Sequence, residues 1–105
     1  MQQSNSWREA NPEAAKLVYR RDHLKRNYGL TIEQYDEMLE AQSGGCAICG
    51  CADGDASGKR LAVDHDHATS ENRGLLCQAH NQALGMFNDD PALLARAIEY
   101  LVRAR

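Results

Sequence analysis

Three short stretches inside the window from Cys46 to Asn81 decide how this chain folds: Cys46-Ala47-Ile48-Cys49, then Leu61-Ala62-Val63-Asp64-His65-Asp66-His67, then Arg73-Gly74-Leu75-Leu76-Cys77-Gln78-Ala79-His80-Asn81. All four cysteines and three of the four histidines fall in that window. Two ligands separated by two residues in a tight turn both reach one ion, so one such pair supplies half of a tetrahedral zinc site and a second supplies the rest. Cys46 with Cys49, and Cys77 with His80, are two such pairs, and together they point to structural Zn2+. Cys51 lies close to Cys49 and competes with His80 for the fourth position. The repeated spacing from Cys77 favours His80 and leaves Cys51 a spare thiol.

Between the pairs, Asp53 to Lys59 is rich in Gly, Ser, Ala and Asp and reads as a surface loop. Leu61-Ala62-Val63 and Leu75-Leu76 are short apolar runs separated by the polar turn Asp66 to Asn72, which predicts a β-hairpin. A helix is predicted from residue 77 to about 86, so the local order is strand, strand, helix. A hairpin packed on that helix brings Asp64 and His65, at the end of the first strand, against Asn81 on the first turns of the helix. A carboxylate and a carboxamide are both hard oxygen ligands, suited to Mg2+ or another divalent ion that keeps positions for water and phosphate. His65, beside such an ion, is placed to take a proton from an attacking water. The bland alternatives are that Asp64 and Asp66 only form turns and that His65 and His67 only brace the hairpin. Asn81 following directly on a zinc-ligand candidate weighs against them.

Outside the window the chain reads as helices. Asn11 as cap, Pro12 in the first turn and Glu13 at the positive dipole end open a first helix, which Gly29 closes. Ala14, Leu17, Leu24 and Tyr28 make its apolar stripe, Trp7 is expected to pack against it, and His23 is expected at its surface. Thr31 and Gln34 form a capping box for a second helix, closed by Gly44 and Gly45. Asp90 and Pro91 open a last helix whose Leu94, Ile98 and Leu101 predict a buried face.

The 105 residues carry a formal net charge of -3, which excludes a polycation that holds nucleic acid by bulk charge. The charge is uneven. Residues 1 to 30 hold Arg8, Lys16, Arg20, Arg21, Lys25 and Arg26 against Glu9, Glu13 and Asp22, whereas residues 31 to 58 hold carboxylates and no cation. Any nucleic-acid contact is therefore expected in the first third, where Lys16, Arg20, Lys25 and Arg26 either meet phosphates or form a solvated helix face. Met1 to Ser6 lacks the apolar region of a secretory signal, and no apolar run reaches membrane-spanning length. The expectation is a cytoplasmic protein with no membrane partner, whose cysteines are metal ligands rather than disulfides.

The motifs C-A-I-C-G, V-D-H-D-H and R-G-L-L-C-x-x-H-N-x-A-L-G, with Y-G-L-T-I-E-Q-Y-D-E-M-L-E-A-Q upstream, resemble the phage recombination endonuclease VII family, within the ββα-metal or HNH nuclease group. The resemblance covers about Tyr28 to Phe87. It implies an α+β, mostly helical fold: a single domain over 1–105, with a helical part at 1–45, a zinc-bound ββα-metal core at 46–87 and a C-terminal helix at 88–105. It implies zinc on Cys46, Cys49, Cys77 and His80, a catalytic ion on Asp64 and Asn81, His65 as general base and His67 on the phosphate side. His80 stands where the family ordinarily has cysteine; histidine also binds zinc. The implied activity is metal-dependent hydrolysis of DNA, by nicking or by resolving branched DNA, in the cytoplasm of a phage-infected or bacterial cell. Relatives that resolve junctions are longer homodimers, and the short last helix here favours simple strand cleavage over a paired active site. The alternative is a zinc-stapled DNA-binding or adaptor module, which has no need of a base beside two oxygen ligands.

Overall fold

Thr31 fixes the first joint. In the computed structural model, which describes residues 9–103, the Thr31 hydroxyl accepts from the Gln34 amide at 3.0 Å and the Gln34 side chain accepts from the Thr31 amide at 2.9 Å. This reciprocal cap satisfies two otherwise orphaned donors and opens helix α2 (Ile32–Ala41). The preceding helix α1 (Pro12–Tyr28) ends at Gly29, whose φ of 66° is left-handed and suits a residue without Cβ. At its other end Asn11 occupies the cap position, but its side chain makes no capping bond, so Pro12 and Glu13 carry the start of the helix.

Two strands follow. β1 (Ala62–His65) pairs antiparallel with β2 (Asn72–Leu76), with Val63 opposite Leu75, Asp64 opposite Gly74 and His65 opposite Asn72. The register slips between Asp64 and His65, so Arg73 is the extra residue of a bulge. Asp66 closes the intervening turn, its carboxylate accepting from the amides of Ala68 at 2.8 Å and Thr69 at 3.3 Å. Helix α3 (Gln78–Met86) starts at Cys77 and packs on β1, and helix α4 (Pro91–Arg103) completes the order. The result is a small α+β fold, mostly helical, around one hairpin.

The core is Leu24, Leu30, Tyr35, Leu61, Val63, Leu75 and Leu76, with Cys46 and Cys77 at its edge. Tyr35 donates its hydroxyl to the Leu61 carbonyl at 2.6 Å, which removes a polar cost from a buried ring. Gln42 ties α2 to the hairpin: its amide nitrogen donates to the carbonyls of Gly45 and Leu75, and its oxygen accepts from the Leu75 amide at 2.8 Å.

Two expectations need correction. The stripe on α1 is buried only in its second half: Leu24 is in the core, while Leu17 is 57% exposed and Ala14 also faces solvent. The rest of the fold meets α1 near its carboxyl end, where the Leu30 amide bonds Leu24 and the Asn72 side chain bonds the Tyr28 carbonyl. The face expected to be buried on α4 is also open. Ile98 is 63% and Leu101 58% exposed, because amphipathic periodicity specifies an apolar stripe without supplying the surface that covers it. Asp90 does cap that helix, accepting from the Ala92 amide at 2.9 Å. The expectation for Trp7 lies outside the described residues.

Candidate metal centre and active site

A tight turn and a helix start face each other across the end of β2. Gly45 permits the turn: a Cβ there would run into the Gly50 carbonyl, so the chain closes on itself only with glycine. The Cys46 amide bonds the Cys51 carbonyl at 2.8 Å and the Gly50 amide bonds the Cys46 carbonyl at 2.9 Å, which folds Cys46 and Cys49 to one side. The Ala47 amide bonds Leu75 at 3.1 Å and docks this knuckle on β2. Two residues further along, the chain enters α3 and delivers Cys77 and His80.

The donor atoms of Cys46, Cys49, Cys77 and His80 all lie within 4.8 Å of one another. Ligands held at about 2.0–2.3 Å in a tetrahedron need separations of that order. Cys49 and Cys77 sulfurs are 3.8 Å apart, and Cys77 Sγ is 3.1 Å from His80 Nδ1. Three soft thiolates and an imidazole on two turns form a donor set that fits Zn2+. Burial would raise the Cys46 thiol, but hydrogen bonds from the backbone of Cys49, Cys77 and Ile48 outweigh it and bring its pKa down to about 6. That favours the thiolate, the form that binds metal. Cys51 is pushed the other way, to about 12, first by its hydrogen bond to Cys49, then by slight desolvation and the nearby charges of Cys49 and Cys77. Its sulfur is 3.2 Å from Cys49 and bonds the Asp53 carbonyl, outside the fourfold group.

The second cluster is built differently. Asp64 is buried at the end of β1, only 8% exposed. A buried carboxylate needs a partner, and Arg73 provides it, with Nε to Oδ2 at 2.7 Å and Nη2 to Oδ1 at 3.0 Å. The same Nη2 reaches Asp89 Oδ2 at 3.3 Å, in the turn before α4. Hydrogen bonding to Asp64 and the charges of Asp64 and Asp89 hold the Arg73 cation well above its ordinary range. Each carboxylate oxygen retains acceptor capacity beyond the arginine bond, so the pair is compatible with a divalent ion.

His65, half-buried, lies with its ring centroid 4.7 Å from that of His67 and 5.9 Å from that of Tyr28. Asn81 sits on α3, the helix that packs on β1, and its amide bonds the Cys77 carbonyl at 2.9 Å. Asp64 and His65 thus lie at the end of β1, His67 in the turn that follows, and Asn81 on the helix packed against that strand. Asp66 takes no part: its carboxylate is consumed by the turn, whose amides hold its pKa below the usual carboxylate range.

Sequence reasoning missed Arg73 and Asp89. A signal existed, since Arg73 is the one cation between Leu61 and Asp90, and a buried Asp64 demands one. Arg20 moves in the opposite direction. Expected at a DNA contact, it instead lies over the Tyr35 ring at 4.9 Å and within 3.5 Å of Asp36, with its side chain 18% exposed.

The chain is 49% identical over 75 residues to the Gene 59 protein of Mycobacterium phage D29, covering 70% of this chain and 44% of that protein. It is 47% identical over 76 residues to the Gene 59 protein of Mycobacterium phage L5, covering 71% and 45%. The chain therefore spans less than half the length of either relative. No solved structure matches it. The family model for recombination endonuclease VII matches residues 21–103, which include the cysteine knuckle, the hairpin and α3, and the chain belongs to that family.

Proposed function

We propose that this chain is a metal-dependent DNA endonuclease of the HNH type, a single nuclease domain over 1–105 acting in the cytoplasm of a phage-infected cell. The observation that supports the reading is the packing of α3, which bears Asn81 one residue after His80, on β1, the strand that ends in Asp64 and His65. Among the described residues no helix is long and apolar enough to cross a membrane.

In this reading His65 accepts a proton from water as the water oxygen bonds to phosphorus. The P–O bond in line with it breaks, and its electron pair leaves with the departing oxygen. Asp64 and Asn81 offer side-chain oxygens that would hold Mg2+ or a similar divalent ion. Such an ion, when bound, supplies positive charge where the phosphate and the leaving oxygen gain negative charge. His67, on the exposed turn beside His65, is assigned to the phosphate. Arg73 holds the Asp64 carboxylate aimed before any ion arrives, and shares it or yields part of it afterwards.

The substrate is nicked or branched DNA. A homodimer is part of the proposal, supported by the α4 face on which Ile98 and Leu101 are more than half exposed; sedimentation of the wild type against a paired Ile98→Asp and Leu101→Asp variant tests it. A second reading, a zinc-stapled DNA-binding module without catalysis, draws on one observation, that Arg73 already satisfies Asp64. Incubating the purified protein with supercoiled plasmid, a four-way junction and linear duplex, each with magnesium or with chelator, separates the two. Ion-dependent cutting supports the nuclease, its absence on all three substrates rejects it, and the ranking among substrates reads the preferred DNA form.

A further inference from the structure

A groove of about 770 Å³ runs between α1 and the segment Gly54–Val63 and reaches α3 at Asn81. Its charge is opposite in sign to that of the whole chain: Lys16, Arg20, Lys59 and Arg60 line it against the carboxylates of Glu13 and Asp55. Arg20 is occupied by Asp36 and Tyr35, and Lys16 pairs with Glu13 at 3.8 Å. Lys59 and Arg60 are exposed on the opposite wall, and among the described residues neither makes an ion pair.

The α1 wall carries aromatic rings in sequence. Tyr19, 70% exposed, stacks on His23 with centroids 5.8 Å apart and planes at 17°. His23 meets Tyr28 edge-on at 6.1 Å, and Tyr28 meets His65 at 5.9 Å. The rings therefore lead from solvent to the candidate base. They are held in place: the Asn27 amide lies 3.0 Å from His23 Nδ1 and also bonds the His23 carbonyl, while Asn72 bonds the Tyr28 carbonyl at 2.9 Å. Core packing accounts for Tyr28 but not for Tyr19, whose ring covers nothing apolar enough to bury it.

We propose that this groove seats an unpaired DNA strand, with a base laid on the Tyr19–His23 pair and phosphates against Lys59 and Arg60. Every base has a π-face, and an aromatic platform beside cations is how proteins hold single strands without reading sequence. Paired bases already stack on their neighbours and offer edges rather than faces, so the platform selects a strand that has left the duplex. The proposal rests on the nuclease reading and narrows it: the preferred substrate carries a single-stranded segment next to the bond that is cut.

The test is fluorescence anisotropy of labelled oligothymidylate and of a blunt duplex of equal length, without divalent ion, using the full chain with its zinc content checked. Tyr19→Ala is expected to weaken oligothymidylate binding by between about 5- and 100-fold and duplex binding far less, with Tyr19→Phe restoring the wild-type value. Lys59→Ala with Arg60→Ala is expected to flatten the salt dependence by up to about 1.4 logarithmic units. Wild-type affinity in Tyr19→Ala, or equal losses on strand and duplex, overturns the proposal. A chain that binds oligothymidylate through Tyr19 yet cuts no DNA with any divalent ion upholds the groove and rejects the nuclease reading alone.

Discussion

The two ligand clusters of this chain lie at opposite ends of the same hairpin and answer the same electrostatic problem in opposite ways. Cys46, Cys49, Cys77 and His80 converge on one point with no cation of the protein among them. Asp64, which is buried, already has a cation in Arg73. The first cluster could therefore take its counter-charge from a metal ion, whose binding free energy would then be folding free energy. The second cluster draws its counter-charge from an arginine of the chain itself.

The strongest way to break that contrast is at the thiolates. Cys46→Ser and Cys77→Ser should each lose the zinc, expected at about one per chain, and with it the cooperative fold, since structural zinc contributes on the order of 10 kcal/mol. Elemental analysis with circular dichroism checks this; a folded, zinc-free variant would refute it. Acid should act on the same cluster. The Cys46 pKa in the fold, about 6, lies below the ordinary thiol value of 9.0. A lowered thiol pKa contributes stability that is complete above pH 9 and lost as pH falls through about 6. Protons compete with metal for the thiolates, so zinc captured by a chromogenic chelator should rise on acidification.

Next in size is the loss of the base. His65→Ala should reduce cleavage by about 10² to 10⁴-fold, while leaving zinc content and the far-ultraviolet spectrum unchanged, because His65 belongs to neither the knuckle nor the core. Wild-type cutting by this variant under saturating magnesium would transfer the role to His67.

A smaller effect sharpens the comparison from the arginine side. Arg73→Ala leaves Asp64 buried without its cation, and with Arg73 itself 37% exposed the screened loss is about 1–2 kcal/mol. Magnesium should then raise the melting temperature of the variant more than that of the wild type, since the ion takes over the vacated carboxylate. Equal shifts in the two proteins would mean that Asp64 does not meet the ion. The smallest effect expected is that of Cys51→Ser, which should leave zinc content as it is because Cys51 stands outside the fourfold group.

Local signals were legible before any coordinates. The capping box at Thr31 and Gln34, the hairpin around Asp66 and the paired ligand spacings all depend on residues within a few positions of one another, where stereochemistry leaves few alternatives. What escaped was longer-ranged. Nothing within a few positions of Arg73 names its partner, and only the bulge between Asp64 and His65 turns it onto a carboxylate nine positions away. Arg20 looked like any cation on a helix, and its burial against Tyr35 and Asp36 required knowing how α1 and α2 cross. The open face of α4 escaped for the converse reason: Ile98 and Leu101 have the right period, but a period does not name a neighbour.

Gln42 has a further consequence. A two-stranded sheet has an outer edge on each side, and an unpaired edge invites another extended segment to add itself. On the outer side of β2 the side chain of Gln42 takes both the donor and the acceptor of Leu75, as a third strand would, and the Ala47 amide reaches the same carbonyl. One side-chain amide thus closes the middle of that edge to uninvited strands. Copies of this chain meeting at high concentration would find no docking rung at Leu75, and a Gln42→Ala variant would expose one on the hairpin's hydrophobic ribbon.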